Sequence, residues 1–153
     1  MQTNDVLRSV RYMLDLSEAK LAAVIAEGGQ EVSVDALHQY LKKDDEADYL
    51  PCPDEVLGAL LDGLVYVRRG RDETRPQVPA ELPVSNNTVL KKLRVAFELK
   101  DVDIQAILKQ AGFDVSTSEL GAFFRKPDHR HYRPCGDQFL RNFLKGLTLR
   151  VRR

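Results

Sequence analysis

The sequence predicts an all-α protein built from two tandem copies of a four-helix module. Residues 4–70 align with residues 87–153 without a gap, and this repeat includes the hexapeptides YLPCPD and YRPCGD that hold the chain's two cysteines. Apolar residues recur at helical spacing, and no convincing run alternates as a strand would. The repeat therefore predicts the domain organisation of the chain: a first module over 1–70, a proline-containing linker over 71–86 and a second module over 87–153.

Each copy is predicted to form its first three helices between the same punctuating residues. The first helix covers residues 5–15 or 88–98 and follows an asparagine N-cap, whose side chain accepts from backbone N–H groups. The second ends at a glycine, which adopts a left-handed conformation at little cost. The third follows a serine N-cap. These predicted positions are Asn4 and Asn87 for the first helix, Gly29 and Gly112 for the second, and Ser33 and Ser116 for the third.

The fourth helix is predicted to begin at the repeated hexapeptide. The proline holds the chain extended, so that Cys52 and Cys135 take the N-cap position. Asp54 and Asp137 then lie in the first turn, where the helix dipole favours a carboxylate. A thiol at a helix N-terminus can be a nucleophile, but the nearby carboxylate opposes the thiolate. We therefore expect both cysteines to be structural.

Arg11 and Arg94 occupy matching positions on the first helix of each copy. Guanidinium and carboxylate groups form strong paired hydrogen bonds. The pattern therefore favours a bridge from Arg11 to Asp54 and from Arg94 to Asp137 inside the modules. A repeated ligand site is the alternative.

A second feature near Cys135 invites a metal interpretation. His129 and His131 lie close to Cys135 and Asp137, but their spacing does not match paired zinc-ligand patterns. The first copy has acidic residues in place of the histidines, so we prefer a solvated loop and expect no metal or cofactor. The chain also lacks a glycine-rich phosphate loop and a nucleophile motif. We therefore expect a protein that is not an enzyme.

Charge separates the two copies, although the whole chain is neutral. Residues 4–70 carry seven Lys and Arg against thirteen Asp and Glu, whereas residues 87–153 carry fourteen against seven. The basic excess continues to Arg153 at the end of the chain. Such a surface can bind phosphates, and it can equally bind the acidic copy. The candidate nucleic-acid-binding residues are Lys91, Lys92, Arg125, Lys126, Arg130, Arg133, Arg141 and Lys145.

Residues 90–126 resemble a repressor-type helix-turn-helix at the centre of the second copy, and ordinary helical packing is the alternative interpretation. The segment between its two helices is about two residues longer than the tight turn of that motif. The exposed face of the third helix also offers few long side chains for reading bases. We therefore expect contact with a nucleic-acid backbone rather than base readout.

Four segments together resemble a known family. They are NDVLRSVRYML (4–14), LDGLVYVRRGRDE (61–73), NNTVLKKLRVAFELK (86–100) and PDHRHYRPCGDQFLRNFLKGL (127–147). They are similar to the bacterial YehS-like family of uncharacterised proteins, of the DUF1456 type, built of two tandem copies of a domain of unknown function. The resemblance implies a bacterial cytoplasmic protein of two modules and supplies no catalytic residues or cofactor.

Besides an enzyme or metal site at the loop that holds Cys135, two functions stay open at this point. One is DNA or RNA binding through the basic second module. The other is protein interaction, in which the acidic and basic copies pair in a homodimer or with another protein. No stretch approaches the roughly 20 apolar residues needed to span a bilayer, and the N-terminus lacks the apolar core of a signal peptide. We therefore expect a cytoplasmic protein with no membrane partner.

Overall fold

The protein is described here by a computed structural model, which covers residues 1–71, 74 and 81–152. These residues form eight α-helices and no β-strand, so the all-α prediction is confirmed. The chain divides into two compact units, Met1–Val84 and Ser85–Arg153. Most of the predicted linker and Arg153 lie outside the described residues.

Each unit contains four helices. The first unit contains α1 (Thr3–Leu14), α2 (Glu18–Glu27), α3 (Val34–Tyr40) and α4 (Asp54–Arg69). The second contains α5 (Asn86–Ala96), α6 (Asp101–Gln110), α7 (Thr117–Phe123) and α8 (Asp137–Val151). No helix within these ranges is both long and apolar enough to cross a membrane.

The predicted ends of the second helices and starts of the third are confirmed. Gly29 and Gly112 follow α2 and α6 with φ of 101° and 82°, a left-handed conformation that glycine adopts without a Cβ penalty. Ser33 and Ser116 are the N-caps of α3 and α7. Each hydroxyl accepts a hydrogen bond of 3.1 Å from the backbone N–H three residues later.

The predicted asparagine N-caps are wrong. Gln2 and Ser85 are the N-caps of α1 and α5, so Asn4 and Asn87 lie inside the first turn of their helices. The physical reason is that both asparagine side chains are buried and bond to other parts of their own units. They are therefore turned away from the N–H groups that a capping residue would reach.

The predicted cysteine N-caps are also wrong, by one residue. Pro53 and Gly136 are the N-caps of α4 and α8. Cys52 and Cys135 precede them and are only 4% and 5% exposed. Each thiol donates to the carbonyl of the N-cap residue, at 3.5 Å for Cys52 to Pro53 and at 3.6 Å for Cys135 to Gly136, and packs as a small buried side chain.

A matched glycine brings the second and fourth helices of each unit close together. A Cβ atom at Gly63 would lie 1.9 Å from the carbonyl oxygen of Val24, and one at Gly146 would lie 2.2 Å from that of Ile107. Both distances are far below van der Waals contact, so only glycine allows this backbone approach. The apolar stripe predicted for the fourth helix is buried in both units: Val56, Leu57, Leu60, Leu61 and Leu64, and Phe139, Leu140, Phe143, Leu144 and Leu147.

Candidate functional site

A buried asparagine fixes the loop between the third and fourth helices of each unit. In the first unit the Nδ2 of Asn4 donates to the carbonyls of Tyr40 and Leu50 at 2.9 and 2.8 Å. Its Oδ1 accepts from the backbone N–H of Cys52 at 3.0 Å. We call these three hydrogen bonds the asparagine clamp. All three go to main-chain groups at or next to the ends of the loop, so the clamp fixes the path of the loop backbone. The Oδ1 of Asn4 also accepts from the Tyr49 hydroxyl at 3.2 Å.

The second unit repeats the clamp bond for bond. Asn87 donates to the carbonyls of Phe123 and Arg133 at 3.0 and 2.9 Å, and accepts from the N–H of Cys135 at 2.8 Å. These partners are the repeat equivalents of those of Asn4. The sequence singled out both asparagines as a matched pair but assigned them the wrong role.

The loop that the clamp holds has the same backbone turn in both units. In residues 42–50, the N–H of Glu46 donates to Lys43 at 3.0 Å and that of Leu50 to Gln39 at 3.3 Å. In residues 125–133, the equivalent bonds run from His129 to Lys126 at 2.9 Å and from Arg133 to Ala122 at 3.2 Å. The two loops therefore share one hydrogen-bonded framework. Their backbones differ at one position, because Asp48 has a φ of 64° and its equivalent His131 does not have a positive φ.

The charge on that framework is reversed. Residues 42–50, KKDDEADYL, carry two lysines and four acids, and we call them the acidic loop. Residues 125–133, RKPDHRHYR, carry four Lys and Arg and one acid, and we call them the basic loop. The charge is therefore reversed between loops that share the clamp and the same turn hydrogen bonds.

The basic loop collects four of the eight predicted nucleic-acid-binding residues. Arg125, Lys126, Arg130 and Arg133 are all exposed. Two of them lie against the loop's histidines: an Nη1 to Nε2 distance of 3.2 Å joins Arg125 to His129, and the Nε of Arg130 donates to His131 at 3.1 Å.

The other four candidates lie on helices. Lys91 is exposed on α5, and its equivalent in the first unit is Arg8. Arg8 donates to the carbonyl of Lys42 at 2.9 Å. Lys42 is in turn the equivalent of Arg125. That equivalence puts Lys91 beside the start of the basic loop. Lys92 on α5 is half-buried, and exposed Arg141 and Lys145 share one face of α8 because they lie one turn apart. Within the described ranges, neither Arg141 nor Lys145 bonds to the basic loop.

Both cysteines are buried free thiols with raised pKa values. Burial raises the pKa of Cys52 to about 12, with a further contribution from the Asp54 carboxylate. Burial likewise raises the pKa of Cys135 to about 12, with a contribution from Asp137. Both side chains are therefore neutral thiols near pH 7. A nucleophilic cysteine needs a lowered pKa, which is the opposite shift.

The predicted arginine bridges are wrong. Asp54 and Asp137 do begin α4 and α8, as predicted, but their carboxylates accept from Val84 N–H and from the Asn86 side chain, both at 2.8 Å. The Nε of Arg11 donates to the carbonyl of Leu16 at 3.1 Å. Arg94 instead pairs with Asp101 at 3.0 Å, the first residue of α6 and much closer in sequence.

The histidines of the basic loop lie near each other without forming a metal centre in the described part of the chain. The ring centroids of His129 and His131 are 5.5 Å apart, and the N–H of His131 donates to the Nδ1 of His129 at 3.0 Å. No group of three or more His, Cys, Asp or Glu among the described residues could hold a metal ion. Cys135, the third predicted member of this group, is buried behind the clamp.

Comparison with known proteins gives the family but no activity. The model of the family described as "Protein of unknown function (DUF1456)" matches residues 3–70 and again residues 86–153. The chain is 48% identical over 150 residues to the "Uncharacterized protein YehS" of Escherichia coli strain K12, covering 98% of this chain and 96% of that protein. No solved structure matches the chain. The two matched segments confirm the tandem repeat, and the chain belongs to the DUF1456 family.

Proposed function

We propose that the protein binds nucleic acid through the basic loop of its second unit, and that it acts by binding and not by catalysis. The observation that carries this proposal is the charge reversal between two loops that share the asparagine clamp and the same turn hydrogen bonds. Four exposed cations within nine residues form a compact positive surface. Phosphate contacts from Lys and Arg supply most of the affinity of non-specific nucleic-acid binding.

We expect the basic loop to contact the phosphate backbone rather than the bases. A fixed loop with short reach suits the regularly spaced phosphates of a strand, and most protein–DNA hydrogen bonds go to phosphate and sugar. Lys91 extends the surface from α5, while Arg141 and Lys145 add a second row of cations on α8. The helix-turn-helix-like interpretation of residues 90–126 stays a prediction and is not needed for this mode of binding. A cytoplasmic location is consistent with such a partner and is part of the proposal.

The test is a fluorescence-anisotropy titration of labelled single- and double-stranded DNA and RNA with the full chain at several salt concentrations. The decisive variant carries Arg130→Ala and Arg133→Leu together, which gives the basic loop the residues that the acidic loop has at those positions. We expect duplex binding to weaken at least about tenfold at low salt. The log–log salt slope should fall by about 1.8, near 0.9 for each lost phosphate contact.

The matched control is Lys43→Gln, which removes a cation from the acidic loop at the position equivalent to Lys126. Affinity for nucleic acid should stay within about twofold of the parent chain, since that cation is surrounded by acids. Equal losses in both variants would show a non-specific charge effect. Absence of binding by the parent chain at low salt would overturn the proposal.

A second candidate follows from the same charge reversal. The acidic loop of one chain could pair with the basic loop of another, because complementary charges steer association. Sedimentation equilibrium of the full chain without nucleic acid separates the two candidates. Dimerisation that weakens with salt and is lost in the Arg130→Ala, Arg133→Leu variant supports pairing, whereas a monomer at every concentration excludes it.

A further inference from the structure

The first unit contains a pocket that none of the charge-based predictions uses. Its volume is about 330 Å³, which is in the range of small-molecule sites. It lies between α1 and the end of α3. The lining residues are Arg8, Arg11, Tyr12, Asp15, Leu16 and Leu41.

The second unit shows what occupies the same place when it is filled. Arg94, the equivalent of Arg11, has its guanidinium carbon 4.4 Å from the centroid of the Phe124 ring. The same guanidinium pairs with the carboxylate of Asp101 at 3.0 Å. Arg94 therefore has an aromatic ring beneath it and a carboxylate on its edge, which are two favourable partners for a guanidinium.

In the first unit both of these partners are missing. Leu41 stands where the second unit has Phe124, so no ring lies below Arg11. Glu18 stands where the second unit has Asp101, but its carboxylate is 2.8 Å from the Nδ1 of His38. Arg11 donates through Nε to the carbonyl of Leu16, and within the described ranges no carboxylate lies at ion-pair distance from it.

The neighbouring side chains define the rest of the pocket. Arg8 is held in place, since it donates to the carbonyl of Lys42 and pairs with Asp5. Tyr12 is 61% exposed at the rim. Asp15 is the one acid in the lining, against two arginines. The site is thus a small, partly apolar space with a positive group at its edge.

We propose that this pocket binds a small aromatic carboxylate. The ligand's ring takes the position that the Phe124 ring has in the second unit, against the guanidinium of Arg11 and the side chains of Leu16 and Leu41. Its carboxylate takes the role that Asp101 has for Arg94. The proposal concerns the first unit alone and is independent of nucleic-acid binding by the second.

The experiment is an NMR titration of the full chain with benzoate, with two matched ligands as controls. Benzamide keeps the ring without the charge, and cyclohexanecarboxylate keeps the charge without an aromatic face. We expect benzoate to shift the Arg11 Nε–H signal and the methyl signals of Leu16 and Leu41. Each control ligand should bind at least about fivefold more weakly than benzoate, because one of the two interactions is lost.

Variants distinguish this site from general anion binding. Leu41→Phe copies the second unit and fills the pocket while keeping every charge, so it should abolish the benzoate shifts. Arg11→Gln should abolish them by removing the cation, and Arg94→Gln in the second unit should leave them unchanged. Thermal melting by circular dichroism identifies any variant that fails to fold.

Several outcomes would overturn the proposal. One is the absence of shifts at about 20 mM benzoate, a concentration that detects even a weak complex. Another is persistence of the shifts in folded Leu41→Phe. A third is equal affinity for cyclohexanecarboxylate and benzoate, which would remove the aromatic part of the inference.

Discussion

Replacing Asn87 by alanine should destabilise the second unit more than a typical polar substitution does. The change removes the acceptor for the N–H of Cys135 and the donors to the carbonyls of Phe123 and Arg133. A hydrogen bond contributes about 0.5 to 1.5 kcal/mol net, and a buried group left without a partner costs about 1 to 3 kcal/mol. Three lost bonds therefore predict about 3 to 5 kcal/mol, a large share of the 5 to 15 kcal/mol typical of a native protein.

Amide hydrogen exchange is the most direct assay, because it reports the affected bond as well as the stability. We expect exchange at the Cys135 amide to accelerate at least about 100-fold in Asn87→Ala. Urea unfolding of the full chain gives the accompanying loss of free energy. Ser118→Ala, on an exposed position of α7, is the control and should change stability by less than about 0.5 kcal/mol. A loss below about 1 kcal/mol with unchanged Cys135 exchange would refute the clamp as a source of stability.

Three further predictions concern packing, thiol reactivity and one carboxylate. Gly146→Ala should lower the free energy of unfolding by about 2 kcal/mol or more, because its Cβ would meet the Ile107 carbonyl. Gly121→Ala is the control and should not lower it in this way, because the space around Gly121 is open. Thermal melting compares the two variants. Both cysteines should resist a disulfide reagent at pH 8 until urea unfolds the chain, because burial raises each thiol pKa to about 12; fast reaction of the folded protein would contradict this. The backbone N–H of Lys100, followed by the Arg150 side chain, lowers the pKa of Asp103. The stability that this interaction contributes is present when the pH is above the pKa of Asp103 in the unfolded chain. It is lost as the pH falls through the pKa of Asp103 in the folded protein. Arg150→Ala should raise the Asp103 pKa towards its ordinary value, measured by carbon NMR.

The fold could be predicted from the sequence because the duplication shows each capping, terminating and apolar pattern twice. A capping serine or a terminating glycine is weak evidence once, but Ser33 with Ser116 and Gly29 with Gly112 support each other at matched positions. The apolar stripe of the fourth helix was likewise visible twice. Local rules of capping and periodicity therefore sufficed for element order and for most boundaries.

The site was less accessible, because its contacts join residues distant in sequence. An asparagine before a helical run is a common N-cap, so the sequence predicts that role for Asn4. The contrary signal was periodicity: Asn4 lies three residues before buried Leu7, on the same face of α1. A polar residue on a buried face predicts a specific hydrogen-bond partner, but its identity, the backbone beside Cys52, depends on tertiary packing.

The arginine pairs show the same limit. Arg11 and Arg94 match in sequence, yet their surroundings differ because Leu41 and Phe124 do not match. A matched residue thus marks a shared backbone position and not a shared interaction. Only the comparison of the two folded units reveals that Arg94 has an aromatic ring and a carboxylate beside it, whereas Arg11 bonds to a backbone carbonyl.

The clamp also bears on how such a protein can change over time. The three clamp bonds go to main-chain groups, so they place no demand on which side chains the loop carries, provided that the loop keeps its length. In the first unit the Tyr49 hydroxyl also donates to Asn4, and the second loop keeps a tyrosine, Tyr132, at that position. After a duplication, each copy could therefore exchange its other loop residues without loss of folding. The opposite charges of the two loops are what such independent drift or selection would leave behind, and the same framework could accept a third, engineered loop with a binding preference of its own.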